Sequence, residues 1–302
     1  MAKKVLIIDE VHPSLAADLR SLGFEVDEQP QIHPKEVQLA GYQGLVLRSK
    51  MSLGAKELEG STLEFIARVG AGLDLIDEAY CSANQIAVFS ANEGNRDAVA
   101  EHVIGQLITL ARKINTADTQ VRNGIWDREG NRGWELQGKT LGIIGYGNMG
   151  QSLAKKLQGF DMNILAYDKY APATHALKDI FEQADILSLH VPLTDETKEM
   201  VNSAFIEQFK KPIVLINSSR GGVCSLEALA AGLSSSKLRG LALDVLPNEK
   251  LATWTATEKT LFDQIASHPM TLFSPHVAGW TTESYWKIND ALIDKIKTHY
   301  QL

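Results

Sequence analysis

Three apolar runs in the second half of the chain each end in side chains that can handle charge or protons. "IVLINSSRGG" ends in Arg220 ahead of two glycines. "LALDVLPNEK" ends in Asp244 and, past a proline, Glu249. "MTLFSPHVAG" ends in His276. A guanidinium can grip a carboxylate with its planar fork and polarise a neighbouring carbonyl. An imidazole can exchange a proton with the oxygen of that carbonyl or of the matching alcohol. A carboxylate on the far ring nitrogen fixes the tautomer. Together the three make a set for hydride transfer between a carbonyl and an alcohol. Singly, each has an ordinary reading: Arg220 as a solvated or capping residue, Glu249 beside Lys250 as loop surface, His276 as a packed core histidine. His190 in "LSLHVPLT" ends a run of the same kind. No acid comparable to Glu249 stands out as its partner, so it reads as structural or cofactor-lining. His102, inside a helical pattern, reads as packing.

A second motif joins the three. "TLGIIGYGNMGQSLAKKL" runs from a strand pattern through Gly145-x-Gly147-x-x-Gly150 into a helix pattern. The first glycine permits a tight turn, the second lets the backbone approach a pyrophosphate, and the third lets helix and strand pack closely. The pyrophosphate would rest on the helix N-terminus. The next strand, "ILAYD", ends in Asp168, at the spacing of an acid that binds a ribose 2′-hydroxyl. A carboxylate there repels a 2′-phosphate and selects NAD over NADP, although Lys169 next to it works weakly the other way. The cofactor site is expected to be lined by Gly145, Tyr146, Gly147, Asn148, Met149, Gly150 and Asp168. His190, Val191, Pro192, Ser218 and Asp244 at later strand ends complete the expected lining.

The elements that must position these groups alternate. Strand candidates are Val5–Asp9, Leu45–Arg48, Leu63–Val69, Ala87–Ser90, Leu141–Gly145, Ile164–Asp168, Ile186–Val191, Ile213–Ser218, Leu241–Leu246 and Met270–Phe273. Helical patterns separate them, among them Ser14–Leu22, Met149–Leu157 and Leu226–Leu233. This is an α/β chain with parallel sheets covered on both faces. Ten strands are too many for one tidy sheet, so two doubly wound parallel-sheet domains are expected. Ligands of such sheets bind outside the carboxyl ends of the strands, where the polar residues above fall. A long helix, about Arg96–Arg112, leads from the first domain into the second. Its apolar positions cover more than one face, which fits burial between domains or a subunit interface. The last helix, about Glu283–Tyr300, is too short for a domain and is expected to pack back on the first. The resulting boundaries are 1–93 with 280–302, and 94–279.

Composition excludes several classes. The 302 residues are 44% hydrophobic and 22% charged, an ordinary globular balance. A net charge of −7 and a pI of about 5.7 argue against nucleic-acid or anionic-membrane binding. The two cysteines, Cys81 and Cys224, fit no zinc spacing and no disulfide framework, and no metal site is expected. The opening "MAKKVLIIDE" has too short an apolar run for a signal peptide, so a cytoplasmic location is expected.

"RVGAGLDLID", "GKTLGIIGYGNMG", "LSLHVPLTDET", "INSSRGG", "LALDV" with its following glutamate, and "SPHVAGWT" resemble the D-isomer-specific 2-hydroxyacid dehydrogenase family. The phosphoglycerate dehydrogenase-like branch is the most similar. The resemblance runs in order over nearly the whole chain. It implies a Rossmann NAD domain inserted in a discontinuous, flavodoxin-like substrate domain, a cleft between the two, and a homodimer. It assigns catalysis to Arg220, Glu249 and His276, and substrate carboxylate binding to the backbone of Val69, Gly70 and Ala71. It matches Arg48, Lys50, Arg68 and Arg128 to positions where phosphoglycerate dehydrogenases gather cations. The implied substrate is therefore a small anionic 2-hydroxy or 2-keto acid, 3-phosphoglycerate first and glyoxylate or hydroxypyruvate next. An NAD-sensing corepressor of the same fold is a different class, which the plain net charge disfavours. Lys250 in place of a common proline, Ala278 in place of a glycine, and Ser225 in place of an acid depart from the family pattern. Lys250 and Trp280 are the two residues expected to reshape the pocket. The chain ends soon after its last helix, so feedback by serine through an appended domain is not expected.

Overall fold

The computed structural model describes residues 2–171 and 175–302. Contacts divide the chain into two compact units, Met1–Arg96 with Trp280–Leu302, and Asp97–Gly279.

The first unit is built on five strands: β1 (Lys4–Ile7), β2 (Glu25–Glu28), β3 (Gly44–Leu47), β4 (Phe65–Arg68) and β5 (Ala87–Phe89). All pairs are parallel, in the order β2-β1-β3-β4-β5. This is the flavodoxin-like winding, with helices on both faces. The helices are α1 (Ser14–Ser21), α2 (Ala55–Leu58), α3 (Glu78–Ala83), the start of α4 (Asn92–Arg112), and the last helix of the chain at Thr282–Tyr300. That last helix covers one face of the sheet. Ile288, Leu292, Ile293 and Ile296 pack with Val5, Leu15, Val46 and Phe65. Burying each such side chain contributes about 1.5–3 kcal/mol. Leu6, Leu45, Leu58 and Ile66 fill the other face.

The second unit carries six strands: β6 (Thr140–Ile144), β7 (Asn163–Tyr167), β8 (Ile186–Leu189), β9 (Ile213–Asn217), β10 (Leu238–Leu243) and β11 (Thr271–Phe273). They too are parallel throughout, in the order β11-β10-β9-β8-β6-β7. The order reverses at β6, which has β7 on one side and β8 on the other, so the crevice for a ligand opens at the end of β6. After α4 come α5 (Ile114–Arg122), α6 (Asn148–Lys156), α7 (Leu177–Gln183), α8 (Ser203–Glu207), α9 (Leu226–Ser234) and α10 (Ala256–Ala266); α11 is the last helix of the chain (Thr282–Tyr300). β6, β8 and β9 are buried along their whole length, as expected of strands covered on both faces.

Among the elements without a named counterpart in the sequence patterns are one strand, β2, and the helices α2, α3, α5, α7, α8 and α10. β2 reads Glu-Val-Asp-Glu and lies at the sheet edge, where polar residues are tolerated and no apolar run forms. α5 buries none of its residues, and a left-handed Lys113 (φ 52°) separates it from α4. α4 itself starts at Asn92, a turn earlier than its apolar pattern. No described helix is long and apolar enough to cross a membrane.

The start of α4 meets α11 backbone to backbone. A Cβ on Gly94 would lie 2.6 Å from both Cα and N of Ile288. Backbone cannot yield there as a side-chain tip can. Gly94→Val is therefore expected to destabilise the first unit by about 1–3 kcal/mol through overpacking, read as a lower urea midpoint. An unchanged midpoint would show that the two helices part freely.

Candidate active site

In a parallel sheet all carboxyl ends point the same way, so the residues following β8, β9, β10 and β11 share one edge of the second unit. There the structure places His190, Arg220, Asp244 and His276. Glu249 arrives from the loop after β10.

His276 Nδ1 lies 2.9 Å from Oε1 and 3.0 Å from Oε2 of Glu249. A carboxylate only accepts, so Nδ1 carries the hydrogen and donates it. The neutral ring then has its lone pair on Nε2, the nitrogen left for a reacting oxygen. Both side chains are about half exposed (47% and 48%), so a ligand can reach them.

The backbone of His276 is left-handed, φ 56°. Histidine tolerates this region better than most side chains, and the turn is held in place. Its N–H donates to the Asp244 carbonyl at 2.7 Å. The Asp244 carboxylate, 2% exposed, accepts from Val277 N–H (3.0 Å), Ala278 N–H (2.9 Å) and the Ser274 hydroxyl. Both carboxylate oxygens of Asp244 thus serve the turn that carries His276. Ser274 is held in turn by His102 Nε2 (2.9 Å) and Gln106 Nε2 (3.2 Å). Packing alone does not describe His102: it braces the histidine turn from α4. No local pattern marks this role, because Ser274 is far away in sequence.

Arg220 follows a turn built by Asn217. Asn217 Oδ1 accepts from the Ser219 N–H (3.0 Å) and hydroxyl (2.8 Å), and its Nδ2 donates to the Arg220 carbonyl (3.0 Å). Arg220 Nη1 donates to the Ser219 carbonyl at 2.8 Å. Gly221 must be glycine here, since a Cβ would lie 2.0 Å from the Leu246 carbonyl group. That close approach seats the arginine turn against the loop that leads to Glu249. Cys224, buried under the same turn, has its thiol pushed up to about 12 by burial and is inert.

The glycine motif fits a dinucleotide. Gly145 has φ 92°, and a Cβ on it would lie 2.4 Å from the His190 carbonyl oxygen. Gly147, the N-cap of α6, has open space where a Cβ would stand, and no side chain caps the helix. A Cβ on Gly150 would lie 2.3 Å from the Gly145 carbonyl oxygen. The three glycines therefore serve tight turn, open approach and close packing respectively. Tyr146, Asn148 and Met149 complete the turn and the first residues of α6. Asp168 follows β7 and stands against that turn, accepting from Tyr146 N–H (2.7 Å) and Tyr170 N–H (2.8 Å). Lys169 is held by both oxygens of Glu196 at 2.7 Å. The Ser218 hydroxyl at the end of β9 is buried with no partner among the described residues, an orphan that a ligand can satisfy. Val191 packs against the core beside Gly145, and Pro192 is pinned by the Thr197 hydroxyl at 2.6 Å.

The cations matched to substrate binding are not all grouped. In the first unit Arg48 directly follows β3 and lies over the Trp280 ring, 4.0 Å from its centroid. The Arg48, Ser49 and Lys50 amides converge on Asp9 Oδ2 at 2.6, 3.0 and 3.1 Å. The Lys50 ammonium is tied to the carbonyls of Pro30 and Ile32. Arg68 ends β4 with its guanidinium across Gly70, where a Cβ would lie 1.7 Å from Nη1. Val69 N–H donates to Leu47 and Gly70 N–H to Arg68. Those two amides are engaged, which leaves the Ala71 amide of the three. Arg128 lies in the exposed segment after α5, in the second unit. No group of described residues could hold a metal ion.

His190, the rival to His276, bonds Ser188 Oγ through Nε2 at 2.8 Å. Burial lowers it from the ordinary 6.5 to about 4, so it is neutral near pH 7. Since the unfolded chain takes up this proton first, the fold is fully stabilised above about pH 6.5 and loses stability as pH falls toward 4. His190→Gln should flatten that slope in urea midpoints taken between pH 7 and 5; parallel slopes in both proteins would contradict the assignment.

Residues 104–278 match the NAD-binding domain of the D-isomer-specific 2-hydroxyacid dehydrogenases. The chain is 34% identical over 92% of its length to a hydroxypyruvate reductase of Thermotoga maritima, covering 90% of that protein. It is 29% identical to a D-3-phosphoglycerate dehydrogenase of Archaeoglobus fulgidus over 97% of its own length but only 56% of that longer protein. A crystal structure of a D-lactate dehydrogenase from Aquifex aeolicus superposes with a TM-score of 0.84 at 24% identity, covering 99% of this chain and 96% of that one, and shows the same fold. Two parallel sheets wound as described, a glycine turn shaped for a dinucleotide and this sequence match lead to one conclusion: the chain belongs to the D-isomer-specific 2-hydroxyacid dehydrogenase family of NAD-dependent oxidoreductases.

Proposed function

We propose that this protein interconverts a small D-2-hydroxy acid and its 2-keto acid, with His276, Glu249 and Arg220 as the reacting set. The observation that carries the reading is the two-pronged contact between His276 Nδ1 and Glu249. It leaves Nε2 to give a proton to the keto oxygen during reduction and to take it from the hydroxyl during oxidation. Arg220 grips the substrate carboxylate and polarises the carbonyl beside it. Gly145–Gly150 and Asp168 would hold NAD, which would supply or accept the hydride. Ser218, His190 and Val191–Pro192 line its nicotinamide end in this reading. Asp244 reaches the cofactor only at the cost of the turn it holds. Ala71, Arg48 and Arg68 are the first unit's candidates for contacts to the substrate anion.

A phosphate-bearing substrate, 3-phosphoglycerate, is the first choice, supported by Arg48 and Arg68 on neighbouring strand ends. Hydroxypyruvate is the second, favoured by the engagement of Lys50 with the carbonyls of the loop after β2 and by the relative from Thermotoga maritima. A homodimer is supported by the unpartnered apolar side chains of α5 and the segment after it: Ile114, Val121, Ile125 and Trp126, the last 80% exposed. Sedimentation velocity reads that mass directly.

A panel of 2-keto acids, each with NADH and NADPH and followed by absorbance, tests the function. Preference for NADH is expected, because Asp168 faces the ribose site and Glu196 occupies Lys169. Asp168→Ala should narrow the gap in kcat/KM, and equal or reversed preference in the native protein would end the idea. Turnover with none of the acids would favour a cofactor-sensing role.

His276→Ala should lower kcat on the order of 10²–10⁴-fold and leave NADH affinity nearly unchanged. Near-normal turnover in that variant, with loss in His190→Ala, would move the chemistry to the end of β8.

A further inference from the structure

Glu249 stands in a surface loop that contains only one helical turn, Leu251–Thr253. A carboxylate on such a loop keeps its distance from a ring nitrogen only if the loop is stiffened. Trp254 has the contacts to do this. Its Nε1–H donates to the Asn248 carbonyl at 2.8 Å, the peptide directly before Glu249. Its ring lies 4.8 Å from Phe262 on α10, and Phe262 lies 5.0 Å from Phe273, the last residue of β11. Phe273 leads through Ser274 and Pro275 to His276. One row of three rings therefore ties the peptide that carries the acid to the strand that carries the histidine. Trp254 and Phe262 belong to none of the buried clusters of the unit, so core building does not account for them. Asn248 closes the loop from within. Its Oδ1 accepts from Lys250 N–H at 3.0 Å, and its Nδ2 reaches Thr253 Oγ1 at 3.2 Å and Glu258 Oε1 at 3.4 Å.

We propose that Trp254 is a positioning residue for the Glu249–His276 pair, fixing the acid's loop through the ring stack and the indole hydrogen bond. The proposal rests on the reading of that pair as the proton-transfer unit. The other charged groups on the surrounding elements include Asp244 after β10, Arg220 after β9, Lys250 beside Glu249, and Glu258, Lys259 and Asp263 on α10. Substitution of Trp254 leaves all of them in place.

The test compares Trp254→Leu and Trp254→Phe, each in the native protein and in Glu249→Gln. The first readout is the downfield Nδ1–H proton resonance of His276 in the substrate-free protein, assigned by its loss in His276→Ala. The second is kcat beside the NADH dissociation constant. Trp254→Leu should weaken or broaden the resonance and lower kcat about tenfold, with NADH affinity held within about twofold. In the Glu249→Gln background the same substitution should change kcat by less than about twofold, because the residue it acts through is already lost. Trp254→Phe keeps the stack and loses the donor, so it should fall between. An unchanged resonance in Trp254→Leu, or an equal loss of kcat in both backgrounds, would overturn the proposal. Should Trp254→Leu fail to fold, Trp254→Phe decides: a weakened resonance supports the role and a native one overturns it. If Glu249→Gln itself leaves turnover and resonance native, the reading of the pair falls, whatever Trp254 does. Without turnover on any substrate, the resonance alone decides.

Discussion

A buried carboxylate, that of Asp244, holds the turn on which the candidate site depends. Taking a charge out of water is costly unless each lone pair finds a donor. Asp244 meets that cost with the amides of Val277 and Ala278 and the hydroxyl of Ser274. Its own carbonyl takes the amide of His276. Four groups on the segment after β11 are thereby fixed to the end of β10. The left-handed backbone of His276 is a conformation that a free segment would rarely hold. Here it is over-determined, and the imidazole meets Glu249 as a result.

Around that turn the parallel sheet supplies the coarse alignment. Register between β9, β10 and β11 places Asn217, Leu243 and Phe273 level, so the polar residues that follow them emerge side by side. Close backbone contacts then set the finer distances. Gly221 lets the arginine turn rest on the Leu246 carbonyl, and Gly145 lets the dinucleotide turn rest on the His190 carbonyl. Glycine in these places serves as space for another strand end, and not chiefly as flexibility.

Charge in the cofactor region is arranged by the same economy. Asp168 presents its carboxylate at the glycine turn, while Glu196 engages Lys169. Exposed ion pairs of this kind contribute little to stability. Their effect on which phosphate a ribose site tolerates is a separate matter, since a held ammonium is a poorer partner for a second anion.

The sequence alone determined the periodic features: buried parallel strands as apolar runs, the glycine spacing of the dinucleotide turn, and polar residues where the runs stop. These are legible because each is written in neighbouring residues. β2 escaped because an edge strand needs no apolar face, and α5 because a helix that buries nothing has no stripe facing a core. Only the tertiary structure decided that Lys50 is spent on the loop after β2, that Arg48 lies on Trp280, and that His102 braces Ser274. It also decided that Asp244 serves a turn and that Trp254 bonds the Asn248 carbonyl while its ring meets Phe262 of α10. Those contacts join residues far apart in the chain, or loops whose course no periodicity fixes. Their geometry exists only once sheet register and backbone contacts have brought the segments together.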